Sequence, residues 1–212
     1  MNVSRPRNAG LSEWADRAGT FILANLLWLL LSLPLITLPL ATAGLFATLA
    51  PWGRGKPSEV FRDFFGGIRQ YWRKAMLIGL IDVLLGGLVA VNFSIFRLMN
   101  MSQPVALVSQ SITFFAGLLL LLVNLYVWPL LVTFDLPLRD LLETAVKLVF
   151  AHPFVSIGML LGTLAILLVC TLLPAAFSLL ATFSACAWFI SWGAWRVLRG
   201  HIAEDERVRL ES

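Results

Sequence analysis

Charge is what this sequence has least of. Only 13% of its 212 residues are Asp, Glu, Lys or Arg, about half the share usual in a soluble domain, and the mean hydropathy is +0.85. A chain so short of charge cannot cover itself with a polar surface, which excludes an ordinary soluble globular protein. Histidine and cysteine are scarce as well, with two of each. Cys170 and Cys186 lie in apolar stretches, where a thiol behaves as a small hydrophobe. His152 and His201 have no second His or Cys at metal-ligand spacing, so neither a metal site nor a cofactor is expected. The sequence also lacks a Gly-rich phosphate loop and any Ser, His and Asp constellation singled out by spacing. It is not expected to be an enzyme.

What the chain has is apolar length. Residues 1–212 read as one all-α transmembrane domain, a polytopic helix bundle of about five spans near 20–38, 75–96, 109–132, 154–173 and 175–195. Each is long enough to cross a hydrocarbon core about 30 Å thick. Arg5 and Arg7 precede the first apolar run, but that run is too long for a signal-peptide core and reads as a retained span. Pro34 and Pro39 are expected to kink or end it.

Two further stretches are amphipathic. Over 58–74, Phe61, Phe64, Phe65 and Trp72 share a face opposite Arg62, Arg69, Arg73 and Lys74, the pattern of a helix lying along lipid headgroups. Ser58 is its expected N-cap. Over 137–150, Leu138, Leu141, Leu142, Ala145 and Val149 oppose Arg139, Glu143 and Lys147, whose i,i+4 spacing supports a second interfacial helix. The two halves of the chain hint at a duplicated span, interfacial helix and span, with Pro39 matching Pro129 and Gly79 matching Gly158.

The net charge of +4 comes from Lys and Arg beside apolar segments. Anionic membrane lipids, not nucleic acid, are therefore the expected partners. The positive-inside bias places the amphipathic helices and the C-terminus in the cytoplasm. With five spans Arg5, Arg7, Arg17 and Arg97 fall outside. A competing layout folds 20–50 into a re-entrant hairpin at the Pro34 to Pro39 break and leaves Arg97 alone outside. Five spans are preferred here, because each half of the hairpin counts only about 14 to 16 residues, short of a full crossing.

Asp82 is the most informative residue, an acid about 10 Å inside the second span. An ionised carboxylate there costs several kcal/mol, roughly 2.5 to 3.5 at a helix centre, unless it is paired or hydrated. It reads as a hydrogen-bonded fastener between helices or as a small-molecule, ion or proton site, with Asn25, Asn92 and Asn124 as candidate partners in one intramembrane polar site. Gly79 and Gly86, with the GxxxG pair Gly158 and Gly162, are candidate helix-packing positions. Trp188, Trp192 and Trp195 before Arg196 form an expected aromatic belt, joining Phe61, Phe64, Phe65 and Trp72 as interfacial anchors.

The stretch Asn25-Leu26-Leu27-Trp28-Leu29-Leu30-Leu31-Ser32-Leu33-Pro34-Leu35-Ile36-Thr37, followed by Ala41-Thr42-Ala43-Gly44-Leu45-Phe46, resembles the opening of the YesL-like family of bacterial membrane proteins. So does Phe61-Arg62-Asp63-Phe64-Phe65 leading to Tyr71-Trp72-Arg73-Lys74-Ala75. The resemblance is clear from about Asn25 to Gly87 and departs from the family at Leu38, where a Gly often precedes the second Pro. It implies a multi-pass protein of the bacterial inner (plasma) membrane. The family has no assigned function, and some members are encoded near carbohydrate-uptake ABC transporters. The expected role is thus a non-catalytic accessory or scaffold supporting such a transporter. The alternative is a small-molecule or lipid carrier built around Asp82.

Overall fold

The computed structural model describes residues 9–53, 58–98 and 103–211. The turn expected at Arg54 to Pro57 lies outside them, as do Arg5 and Arg7. The described chain is all α-helix apart from short connections and one 3-10 turn. Its helices are α1 (Ala9–Ser32), α2 (Leu38–Gly53), α3 (Val60–Leu98), α4 (Gln103–Thr133), α5 (Leu138–Ala151), α6 (Pro153–Leu172) and α7 (Ala175–Glu211).

The segment expected as one span, 20–38, is two antiparallel helices. Trp28 Nε1 of α1 donates to Thr42 Oγ1 of α2 near the turn (3.2 Å), and Phe21 stacks on Trp52 at the far end (ring centroids 6.3 Å). Pro34 breaks the first helix because it brings no N–H and its ring collides with the preceding turn. The 3-10 turn Leu35–Thr37 follows. Its Thr37 hydroxyl bonds the carbonyls of Leu31 and Pro34, so the freed end of α1 does not leave its acceptors bare. Pro39 falls in the first turn of α2, where a missing N–H costs nothing.

A second difference concerns the expected interfacial helix over 58–74. It does not turn aside from the span that follows. α3 runs unbroken for 39 residues through both, about 58 Å at 1.5 Å per residue, and a helix lying flat in the headgroups would need a break near residue 74. Its N-terminus is capped by Asp63, whose Oδ2 accepts the Glu59 amide (2.8 Å), a role expected of Ser58. α5 does form as a separate amphipathic helix. Leu141, Ala145, Leu148 and Val149 are buried, packed toward α4, and Lys147 pairs with Glu143 at 2.8 Å on the outer side.

Four segments among the described residues are long and apolar enough to cross a membrane: Leu35–Trp52, Val60–Ile95, Leu107–Thr133 and Pro153–Leu172. Only 11% of the second and of the fourth is buried within the protein. Their apolar side chains therefore face outward, as lipid-facing surfaces do. α7, expected as a span over 175–195, is not among the four. It packs on α1, α2, α4 and α6 and buries Thr182, Ser184 and Ser191 with Ala187, Ile190 and Ala194. A helix held by protein on several sides tolerates polar residues that lipid would not.

Close contacts set the order of packing. α2 and α3 run antiparallel, with Gly44 against Phe64 and Gly67 against Ala47. α3 and α4 are antiparallel, joined where Lys74 Nζ reaches Asp135 Oδ1 (2.8 Å) and the Leu136 carbonyl (2.9 Å). α6 meets α7 where Gly162 faces Phe189 and Gly193 faces Met159. The two halves do not pack alike: Gly79 lies tight against Pro39, while Gly158 meets nothing, which removes the residue match behind the duplication.

Candidate functional site

Between 75 and 96 the sequence carries one acid or base, Asp82, and none occurs over 18–53, 104–133 or 153–195. α3 places Asp82 two helical turns past Lys74, opposite Asn124 on α4. Asn124 Nδ2 donates to Asp82 Oδ1 (2.8 Å) and to the Leu120 carbonyl (3.2 Å). Trp128, one turn further on α4, donates Nε1–H to Asn124 Oδ1 (3.0 Å). Trp128, Asn124 and Asp82 thus form a relay of donors ending on the carboxyl. Each bond polarises the next where the surroundings are apolar. The indole stacks on Phe46 of α2 (6.4 Å), which fixes the origin of the relay against the hairpin.

Beside the relay lies a cavity of about 380 Å³ between α3, α4 and α5. Ile78, Leu85, Val89, Leu120, Val127 and Leu142 are among its walls, and Asp82 and Asn124 are its only polar lining residues. Its size suits a small ligand. The polar contribution is one carboxyl and one amide already bonded to each other.

The other expected members are elsewhere. Asn25 is fully buried between α1 and α7, where its Nδ2 donates to the Leu179 carbonyl and its Oδ1 accepts the Ser184 amide (3.0 Å). Ser184 Oγ in turn donates to the Phe21 carbonyl (2.9 Å). Asn92 lies ten residues beyond Asp82 on α3, away from the relay. One expected site therefore resolves into two, a carboxyl relay and a separate fastener. Trp128 carried a readable signal, its i+4 spacing from Asn124. Ser184 carried none, because nothing local tells which helix Asn25 meets.

Of the expected packing glycines, Gly79 and Gly162 hold close contacts and Gly86 and Gly158 do not. The tight positions Gly44, Gly67 and Gly193 lie outside the expected set. Phe61, Phe65, Trp72, Trp188 and Trp192 are exposed, whereas Phe64 is fully buried. Its ring fills the space left by Gly44, so it is a core residue and not an anchor. Trp195 is partly buried, with Arg199 over its ring at 5.7 Å, and Arg196 lies 5.6 Å over Trp192. Among the described residues no group of three or more His, Cys, Asp or Glu is placed to hold a metal.

The hairpin, α3 and Asp82 fall inside residues 21–93, which match the family described as "Protein of unknown function, DUF624". The uncharacterized protein YesL of Bacillus subtilis (strain 168) is 30% identical over 162 residues, covering 74% of this chain and 75% of that protein. The chain belongs to the YesL-like DUF624 family. A second relative, the uncharacterized protein YteU of the same organism, is 27% identical over 201 residues, 92% of this chain and 88% of that protein. No solved structure matches. The family match takes in the Pro34 to Pro39 turn and the Gly79 contact as well as Asp82, but stops short of Asn124.

Proposed function

We propose that the chain is a non-catalytic accessory protein of the bacterial plasma membrane that supports a carbohydrate ABC uptake system. The observation that carries this reading is the state of Asp82. The one intramembrane acid is spent on a hydrogen bond between α3 and α4, and no second acid or base lies in the other apolar segments to continue a path. The bundle is thereby fastened, and its distinctive surface is the first half of α3, where Phe61, Phe65 and Trp72 are exposed beside Arg62, Arg69 and Arg73.

Handedness of insertion follows from the hairpin. With α1 and α2 antiparallel, Arg17, the first half of α3, α5 and Arg196 gather at one end of the bundle, and Arg97 in the last turn of α3 lies at the other. The positive-inside bias makes the first end cytoplasmic, with both termini on that side.

Capture of the tagged full-length chain from native membranes, with quantification of co-purifying transporter subunits, tests the role. Carbohydrate transporter subunits are expected with the wild type and are expected to fall when Phe61, Phe65 and Trp72 are replaced by Ser. Their absence from the wild-type capture would overturn it. The cavity beside Asp82 favours one second reading, a carrier for a small molecule with a hydrogen-bonding group. The two readings part at Asp82→Asn, which spares a fastener and disables a carrier that needs the charge.

A further inference from the structure

A second cavity, of about 600 Å³, opens between α6 and α7. Its two ends differ in chemistry. His152 and Arg196 stand at the basic end of the bundle, and Met159 and Phe189 line the deeper part, about 10 Å further along α6. No acid is among its lining residues. Arg196 is held over the exposed Trp192 ring at 5.6 Å, the position of a cation at the level of lipid headgroups. The N-terminus of the 20-residue helix α6 opens onto the same end, adding the positive pole of its dipole.

The glycines show that this space is kept open. Gly162 and Gly193, on the two helices, are demanded by packing, since a Cβ would come within 2.4 Å of Phe189 and 2.8 Å of Met159 respectively. Gly158 and Gly200 also line the cavity, yet a Cβ at either would meet nothing within 4 Å. Packing does not require them to be small. A side chain at Gly158 would stand in the cleft itself.

We propose that this cleft binds an anionic phospholipid, its phosphate between Arg196 and the start of α6 and an acyl chain running inward past Gly158 to Phe189. The gradient from cation to apolar wall matches that of a phospholipid entering from the membrane surface. A soluble phosphate would use only the outer end and leave the inner cleft without an occupant. The site binds lipid whether or not the chain docks a transporter.

The test is a titration of the purified full-length protein in uncharged detergent with short-chain phosphatidylglycerol, short-chain phosphatidylcholine and inorganic phosphate, read by tryptophan fluorescence and native mass spectrometry. Phosphatidylglycerol is expected to bind more tightly than phosphatidylcholine. Arg196→Gln is expected to weaken it about fivefold, the worth of one cation near an anionic surface. Gly158→Leu is expected to abolish it, and Arg199→Gln, outside the cleft, to leave it unchanged. Equal binding of the two lipids, an Arg196→Gln protein with wild-type affinity, or competition by inorganic phosphate as strong as by the lipid would each overturn the proposal. If Gly158→Leu fails to fold, the Arg196→Gln and Arg199→Gln comparison still decides it.

Discussion

Gly79 of α3 approaches Pro39 of α2 so closely that a Cβ at residue 79 would stand 2.2 Å from the proline Cγ. The contact locks the start of the second helix of the hairpin onto α3, and the residue has no room to grow. Gly79→Ala is expected to destabilise the bundle by about 1 to 3 kcal/mol through overpacking. Gly86→Ala, where a Cβ meets nothing within 4 Å, is expected to be neutral or to stabilise by up to about 1 kcal/mol through helix propensity. Thermal unfolding of the two variants in one detergent checks both. Equal shifts would contradict the packing order given above.

Asp82 gives the sharpest functional outcome. Asp82→Asn keeps a hydrogen-bonding partner for Asn124 and removes a buried charge, so stability is expected to hold or rise and any uptake phenotype to persist. Asp82→Leu leaves the Asn124 amide one acceptor short and is expected to cost about 1 to 3 kcal/mol. A well-folded Asp82→Asn protein without function would establish the carrier reading in place of the accessory one.

Asn25 is the corresponding test at the other seam. Asn25→Leu would leave the Ser184 N–H and the Leu179 carbonyl unpaired in a buried place, at about 1 to 3 kcal/mol for such a group. Asn25→Asp retains the acceptor for Ser184 and loses the donor to Leu179. The Leu variant is expected to loosen α1 from α7, seen as lower cross-linking yield between cysteines placed at residues 21 and 184.

The ion pair at the turn between α4 and α5 sets a pH dependence. Lys74, by its hydrogen bond first and its charge second, holds the Asp135 carboxyl below the ordinary carboxylate range. A folded-state value below the unfolded one means that the contribution is present above the unfolded value and is lost as pH falls through the folded one. The stability difference between wild type and Asp135→Asn is therefore expected to be steady near neutrality and to vanish below about pH 4. Because Asp135 is exposed, the difference is small and shrinks with salt.

Single cysteines at Ile36, Glu59 and Asp140, in a background with Cys170 and Cys186 replaced, check the topology in intact cells. An impermeant thiol reagent is expected to label residue 36 and to spare residues 59 and 140. Labelling of 59 or 140 would invert the protein in the membrane.

Much of this architecture is legible in composition and period, because apolar runs of span length admit little but helices. Boundaries were harder, for reasons that particular residues make plain. Arg73 and Lys74 read as the end of a surface helix, yet α3 continues through them, because Lys74 is neutralised by Asp135 from another helix. The hairpin halves looked too short because α1 was counted from residue 20, although it begins at Ala9, and α2 was counted only to residue 50, although it passes Pro51 and ends at Gly53. At the site, Asp82 announced itself as an acid in an apolar run. Its choice of Asn124 over Asn25 is a matter of which helices meet, which local pattern does not encode. The same holds for glycine, where spacing proposed Gly158 and Gly162 alike and only the facing helix tells them apart.

The uninterrupted course of α3 has a mechanical consequence. From Val60 to Asp82 it spans 22 residue steps, about 33 Å of rod, with no proline or helix break in between. A tilt of about 10° imposed at the aromatic end is a swing of roughly 6 Å over that length, and the α2 contacts at Gly67 and Gly79 form the natural fulcrum. Whatever grips Phe61, Phe65 or Trp72 therefore has leverage on the Asp82 to Asn124 bond, so an event at the membrane surface is transmitted to the one carboxyl at depth.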